Sequence, residues 1–127
     1  MYLKEAWRLL RVKDGRPHTL FHSFHGTKAL VQDRVLRAVE RDAWNPGKRG
    51  RGTPPFTSGW HVLFNKGECE EYLRRFTACD DIVVTRVWVS CCKPKPRATS
   101  NVQLARYMKV DSFDWAVALE TNGKSHL

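Results

Sequence analysis

The sequence predicts a single α+β domain, mainly an antiparallel sheet of five or six strands with one amphipathic helix packed on it. Strand-like runs rich in valine, threonine and aromatic residues outnumber helical runs, which favours a sheet as the main layer. Residues 58–76 join a short hydrophobic strand directly to a capped amphipathic helix. A chain of 127 residues with 42% hydrophobic residues is long enough to bury one core.

The first third of the chain is predicted to begin with two strands. Residues 6–12 form the first strand and are followed by a turn at residues 14–15. Residues 19–24 form the second, because several of them are aromatic or branched. Residues 28–41 leave two alternatives open, a helix or a strand that follows a turn near residues 32–33.

A basic loop is predicted at residues 45–57, which carry Lys48, Arg49 and Arg51. Three glycines and three prolines punctuate residues 45–55 and prevent regular structure. A loop of this length in a compact domain is typical of a functional segment.

The helix is predicted at residues 65–77. Asn65 is a good N-cap residue, and Glu68 follows three positions later, as in a capping box. Four residues at i, i+3, i+4 and i+7 spacing form a stripe that is expected to pack on the sheet. They are Cys69, Tyr72, Leu73 and Phe76. Packing in the core or at its boundary is therefore the simplest role for Tyr72.

The last part of the chain is predicted to hold three strands. Residues 82–90 are rich in valine, threonine and tryptophan and form the central strand, which residues 93–96 break with their prolines. Residues 102–110 form another strand. Apolar and polar residues alternate over residues 113–120, which predicts a half-buried strand. The domain thus spans residues 1–120, and residues 121–127 are expected to be a polar tail.

Several classes of site and location are not supported by the sequence. The four cysteines contain no C-x-x-C pair, and their spacing does not fit known structural zinc sites, so reduced thiols and no metal are expected. No stretch approaches the roughly 20 apolar residues of a membrane span. The N-terminus lacks a signal-peptide core. We therefore expect the protein in the cytoplasm of the cell that makes it. The cysteines are Cys69, Cys79, Cys91 and Cys92.

The net charge of +9 is distributed unevenly. Residues 1–57 hold 12 basic and 5 acidic side chains, and residues 93–109 hold no acidic side chain at all. Such asymmetry favours an anionic partner, either nucleic acid or an acidic protein surface. The alternative is a basic protein whose lysines and arginines are simply solvated.

The candidate binding residues are cations, the aromatic residues beside them and one histidine. Arginine suits bidentate contacts with phosphates or carboxylates, and flanking aromatic rings stack on bases or anchor a protein interface. The histidine opens a strand and is expected beneath the basic loop. These residues are Lys48, Arg49, Arg51, Trp44, Phe56, His61, Lys93, Lys95 and Arg97.

Four short segments together resemble a family of small, uncharacterised proteins encoded mostly by bacteriophages. They are the first strand at residues 7–12, a Leu-Phe step at 20–21, a Gly-Trp-His element at 59–61, and a strand with small and basic residues at 104–110. Their order and spacing carry the resemblance, which spans most of residues 6–110. It implies a phage origin and a compact α+β fold, and no particular activity.

The His-Gly-Thr sequence at residues 25–27, with Tyr72 on the predicted helix, also resembles ADP-ribosyltransferases. That resemblance implies NAD as cofactor and His25 and Tyr72 as catalytic residues. The matching late strand has Asn101 and Gln103 where that family has a glutamate. The favoured hypothesis is thus a non-enzymatic phage accessory protein, without a cofactor, that binds a host macromolecule such as nucleic acid or a nucleoprotein defence complex. The alternative is an ADP-ribosyltransferase-like enzyme, active or degenerate.

Overall fold

The computed structural model describes residues 1–21, 25–39, 42–43, 56–77, 80–96, 98 and 100–125. The predicted α+β class is confirmed, since antiparallel strands make up most of the regular structure and helices pack on them. The strands are β1 (Lys4–Lys13), β2 (Arg16–His18), β3 (Val35–Arg37), β4 (Asp42–Ala43), β5 (Phe56–Thr57), β6 (Trp60–Val62), β7 (Ile82–Pro94) and β8 (Gln103–Lys109). The helices are α1 (Lys66–Leu73) and α2 (Trp115–Ser125).

Six of the strands form one antiparallel sheet in the order β2-β1-β7-β8-β3, and β6 pairs with the N-terminal half of β8. The sheet curls into a half-barrel. The curl is visible directly after β6, where Leu63 and Trp7 of β1 exchange main-chain hydrogen bonds of 2.7 and 2.8 Å. Two strands that are far apart along the sheet therefore meet again at its ends.

The hairpin of β1 and β2 confirms the predicted turn and corrects the second strand. Asp14 and Gly15 have φ angles of 53° and 71°, the positive values that a two-residue hairpin turn requires. So short a turn brings the chain back immediately, and β2 occupies Arg16–His18. The predicted strand at residues 19–24 is wrong in its described part, because residues 19–21 lie beyond the end of β2.

Of the two alternatives at residues 28–41, the strand is the observed one. β3 lies opposite β8, with Leu36 facing Met108 and Arg37 facing Tyr107. Asp33, with a φ of 62°, turns the chain just before β3 and donates its main-chain N–H to Val110.

A second, two-stranded sheet consists of β4 and β5. Ala43 lies opposite Phe56, and Asp42 opposite Thr57. The pair brackets residues 44–55, so the C-terminal end of the predicted basic loop 45–57 is a strand.

Helix α1 begins where its cap predicts. The Asn65 side chain accepts a hydrogen bond of 3.1 Å from the main-chain N–H of Glu68. Cys69 and Leu73 are fully buried, whereas Tyr72 is 38% exposed and Phe76 is partly buried beyond the end of the helix, so the predicted apolar stripe is confirmed in part. The helix ends at Leu73, earlier than the predicted 77, because the following residues form tighter turns in which Phe76 donates to the Leu73 oxygen.

The strand predicted at residues 113–120 is wrong, and the chain there forms α2, so the described residues contain two helices where one was expected. The Asp114 carboxylate accepts hydrogen bonds from the main-chain N–H groups of Ala116 and Val117, as an N-cap residue does. Trp115 and Ala118 are buried at i, i+3 spacing, whereas Val117 is 46% exposed. Burial thus follows the helical period and not the alternation of the sequence.

The two helices cover opposite faces of the sheet and define two cores. α2 packs on the face that carries Val87, Val89 and Met108, where the larger core lies. α1 packs on the other face over a smaller core around Leu9 and Ile82. The smaller core covers only part of its face of the sheet.

Candidate functional site

A cleft of about 350 Å³ lies beside α1, bordered by β1, β6 and the segment that leads into β8. Its polar lining is basic, and no aspartate or glutamate is among the described residues that border it. The side chains that give it this character are Arg8, His61, Tyr72, Arg75 and Lys95, with Trp7 at its edge.

The Gly-Trp-His element at residues 59–61 positions one wall of the cleft. A Cβ atom on Gly59 would lie 2.7 Å from the main-chain oxygen of Ala105, so only glycine allows β6 to approach β8 this closely. Trp60 turns into the larger core, where its Nε1 donates to the Leu36 oxygen at 3.0 Å. Since successive strand residues face opposite sides, His61 faces the cleft.

The cleft occupies a gap in the pairing of β1. Trp7 bonds to Leu63, and β2 takes over the same edge of β1 from Arg11 onward. Alternate residues of a strand direct their main-chain polar groups to the same edge, so those of Leu9 also face this edge. No described strand pairs with β1 at Leu9. The main-chain polar groups of Leu9 therefore face the cleft, beside its basic side chains, without a described strand paired to them.

Arg8 inserts its guanidinium where β1 and β6 separate. Nη1 donates to the His61 main-chain oxygen at 2.9 Å, and Cζ lies 5.6 Å from the centre of the Trp60 ring. The Nε atom is shielded from solvent and has no hydrogen-bond partner. No carboxylate pairs with Arg8 within the described part of the chain. Burial lowers the pKa of this guanidinium to about 10, against a small opposing effect of Cys69.

Helix α1 supplies the opposite wall. Tyr72 packs edge-on against Phe76 with ring centres 5.4 Å apart, and Phe76 in turn stacks on Phe21 at 6.2 Å. The guanidinium of Arg75 lies 5.8 Å from the Tyr72 ring centre. Tyr72 is 38% exposed, so it lies at the boundary of the smaller core with its ring available to the cleft.

Lys95 enters from the segment that follows β7. Its main-chain N–H donates to the Val102 oxygen at 2.9 Å, which holds this segment beside β8. Lys93, two residues earlier, is exposed and does not line the cleft.

Among the predicted site residues, the structure brings His61, Tyr72 and Lys95 together. His25 does not line the cleft and lies in a turn with Gly26, with φ angles of 49° and 80°. Phe56 lies in β5, where only the main chain is described. The remaining candidates lie outside the described residues: Lys48, Arg49, Arg51, Trp44 and Arg97.

Sequence reasoning missed Arg8 and Arg75. One signal for Arg8 was present, because it alternates with Ala6, Leu10 and Val12, whose side chains form one buried face of β1. A cation in such a row is unusual enough to mark a functional position. No comparable signal marks Arg75, which follows the end of α1 on an otherwise exposed turn.

Metal and thiol chemistry find little support in the described residues. They contain no group of three or more His, Cys, Asp or Glu side chains that could hold a metal ion. Cys69 borders the cleft, and burial raises the pKa of its thiol to about 12, so it is protonated at neutral pH.

None of the described helices is long and apolar enough to cross a membrane.

Comparison of the chain with protein-family models, with curated proteins and with solved structures finds no match in any of the three.

Proposed function

We propose that this protein is a non-enzymatic nucleic-acid-binding protein and that the basic cleft beside α1 holds part of the bound strand. The observation that carries the proposal is the Arg8 guanidinium, whose Nε has no hydrogen-bond partner and which borders a cleft whose described lining contains no carboxylate. A cation withdrawn from water without a counter-charge is costly for the folded protein. An anionic ligand would supply the missing partner.

The composition of the cleft favours nucleic acid over an acidic protein surface. Two of its cations lie beside aromatic rings, since the Arg75 guanidinium is 5.8 Å from the centre of the Tyr72 ring and that of Arg8 is 5.6 Å from the centre of the Trp60 ring. Phosphates require the cations and bases stack on the rings, a combination typical of sites for single strands.

Two further elements of the proposal come from the sequence. The resemblance to small phage proteins supports a phage accessory role with a host nucleic acid or nucleoprotein as target. The cations Lys48, Arg49 and Arg51 of the predicted basic loop would add phosphate contacts, with Trp44 and Phe56 close to them in the sequence.

The proposal is tested by fluorescence anisotropy with a labelled single-stranded oligonucleotide over a range of salt concentrations. The double variant Arg75→Ala/Lys95→Ala should weaken binding. The slope of log K against log salt should fall by about 1.4 if each residue contacts one phosphate, at roughly 0.7 per contact on a single strand. Lys13→Ala/Arg16→Ala removes the same charge at the exposed β1–β2 hairpin and is the matched control, expected to retain the wild-type slope.

Two results would overturn the proposal. One is a wild-type protein that binds no oligonucleotide at low salt. The other is an equal loss of affinity in the cleft variant and the hairpin control, which would mean that net charge alone determines binding. Tighter binding to an acidic polypeptide than to any oligonucleotide would point to the protein-surface alternative.

A further inference from the structure

Part of the sheet face that carries α1 is left uncovered by the described residues. Trp88 and Tyr107 are half-buried on this face, while their neighbours Val87, Val89 and Met108 are fully buried on the other. α1 packs over the far end of β7, around Ile82. The open region therefore lies around Trp88 in the middle of β7 and Tyr107 in the C-terminal half of β8.

Three aromatic rings cross this face diagonally. Trp7 lies opposite Arg86, and Trp88 lies opposite Glu5, so the two tryptophans are diagonal neighbours on adjacent strands. Tyr107 lies opposite Ser90, which makes it the diagonal neighbour of Trp88 on the other side. Diagonal neighbours are about 7–8 Å apart, within reach of aromatic side chains. We call Trp7, Trp88 and Tyr107 the aromatic diagonal.

Cations accompany each ring of the aromatic diagonal. Arg86 lies with its guanidinium 5.2 Å from the ring centre of Trp88, and Lys109 lies directly opposite Trp88 on β8. Arg37 lies opposite Tyr107 on β3. It has no ion-pair partner within the described part of the chain.

Two carboxylates on the same face are already engaged. Glu5 lies 3.9 Å from Arg86, and Asp111 lies 3.3 Å from Lys109. Asp111 also accepts a hydrogen bond of 2.8 Å from Trp88 Nε1, which fixes the plane of that ring. The face thus combines a pre-oriented ring with three cations, Arg37, Arg86 and Lys109, against two carboxylates, a surplus of one positive charge.

We propose that this face is a stacking platform for single-stranded nucleic acid, with bases on Trp88 and Tyr107 and phosphates near Arg37, Arg86 and Lys109. The inference rests on the nucleic-acid-binding function proposed above and narrows its ligand. Bases of a single strand expose their π-faces to aromatic rings, whereas those of a duplex are stacked on one another. Trp7 belongs both to the aromatic diagonal and to the edge of the cleft, so one strand can pass from the platform into the cleft.

The test compares a labelled single strand with a hairpin duplex for the wild type, Trp88→Leu, Tyr107→Leu and Tyr107→Phe. Each leucine variant should weaken single-strand binding by about 5- to 150-fold, the range expected for loss of one stacked base. Tyr107→Phe keeps the ring and should retain most of the affinity. Phe113→Leu removes an aromatic side chain that is 59% exposed beside α2, and it should bind as the wild type does. The wild type should prefer the single strand.

The outcomes separate this inference from the function on which it rests. If the wild type binds neither nucleic acid, the proposed function fails. If it binds the single strand and both leucine variants bind equally well, the platform is wrong while the function stands. Tighter binding to the duplex, or displacement of the strand by polyglutamate as efficiently as by unlabelled oligonucleotide, would also overturn the platform. Circular dichroism checks that each variant folds. If Trp88→Leu does not fold, the single-strand affinity of Tyr107→Leu alone tests the platform.

Discussion

The Arg8 guanidinium donates to the main-chain oxygen of His61 across the gap between β1 and β6, with an Nη1–O distance of 2.9 Å. This bond gives a partly buried cation a neutral acceptor instead of a counter-charge. Folding alone does not require an arginine at this position of β1, since an apolar side chain would continue the row of Ala6 and Leu10. Under the proposed function, this arrangement holds the cation ready for an anionic ligand.

Arg8→Met is expected to leave the unfolding midpoint unchanged or raised while it abolishes oligonucleotide binding at the cleft. Burial lowers the pKa of Arg8 to about 10, so below that pH the group is charged in both states and its desolvation cost is fully present at neutral pH. Oligonucleotide at 100 times its Kd should stabilise the wild type by about 2.7 kcal/mol, and the variant by much less.

Arg11→Met is the matched control for Arg8→Met. Arg11 lies on the same strand but forms a salt bridge with Asp81, so its loss should cost about 0.2–1 kcal/mol, as for exposed ion pairs, and leave binding intact. Thermal unfolding with and without oligonucleotide measures both variants. A larger loss of stability in Arg8→Met than in Arg11→Met would contradict the ligand explanation.

The parts of the fold that depend on local signals were predictable from the sequence. Asn65 and Glu68 marked the start of α1, and Asp14 with Gly15 marked the first hairpin, because caps and tight turns are determined by a few adjacent residues. Residues 113–120 were misread because alanines at alternate positions resemble a half-buried strand. The Asp114 carboxylate caps the N-terminus of α2 and so favours the helix over the strand.

The cleft was predictable only in part. His61 and Tyr72 were recognised as candidates, but their meeting depends on the curl that brings Leu63 back to Trp7. Trp7 and Leu63 are separated by more than 50 positions, and no local sequence pattern encodes the hydrogen bonds between them. The basic lining was underestimated for the same reason, since Arg8 and Arg75 border the same cleft only in the folded chain.

Gly59→Ala is expected to destabilise the protein by about 1–3 kcal/mol, the usual cost of overpacking. The added methyl would lie 2.7 Å from the Ala105 main-chain oxygen, and a main-chain atom between paired strands cannot move aside. Gly67→Ala is the comparison, because its Cβ would lie 3.1 Å from the Asn65 Oδ1, a side-chain atom that can shift slightly while it still caps the helix, and alanine favours the helix. Urea unfolding measures both. An equal effect in the two variants would contradict a specific close approach of β6 to β8.

Cys91 should react with iodoacetamide in the native protein at pH 8, whereas Cys69 should react only after unfolding. Cys91 is exposed, but Cys69 is fully buried, and burial raises the pKa of its thiol to about 12. The thiolate is the reactive form. Mass spectrometry of tryptic peptides identifies the labelled residue, and Cys91→Ser should remove its label without changing that of Cys69. Rapid native labelling of Cys69 would mean that α1 does not stay packed on the sheet.

Asp33 should make stability depend on pH in the acid range. Ser112 donates to the Asp33 carboxylate from both its hydroxyl and its main-chain N–H, and these bonds lower the pKa of Asp33 below its ordinary value. A depressed carboxyl pKa stabilises the folded state above the unfolded value of about 3.9, and this contribution is lost as the pH falls through the folded pKa.

Ser112→Ala, which removes the hydroxyl donor, should raise the pKa of Asp33 and reduce the loss of stability below pH 4. Asp33→Asn should remove the contribution of this group altogether, and asparagine tolerates the φ of 62° found there. Urea unfolding at a series of pH values, together with an NMR titration of the Asp33 carboxyl, measures both effects. An Asp33 pKa that is the same in the wild type and in Ser112→Ala would show that the hydroxyl bond does not hold the start of β3 to the end of β8.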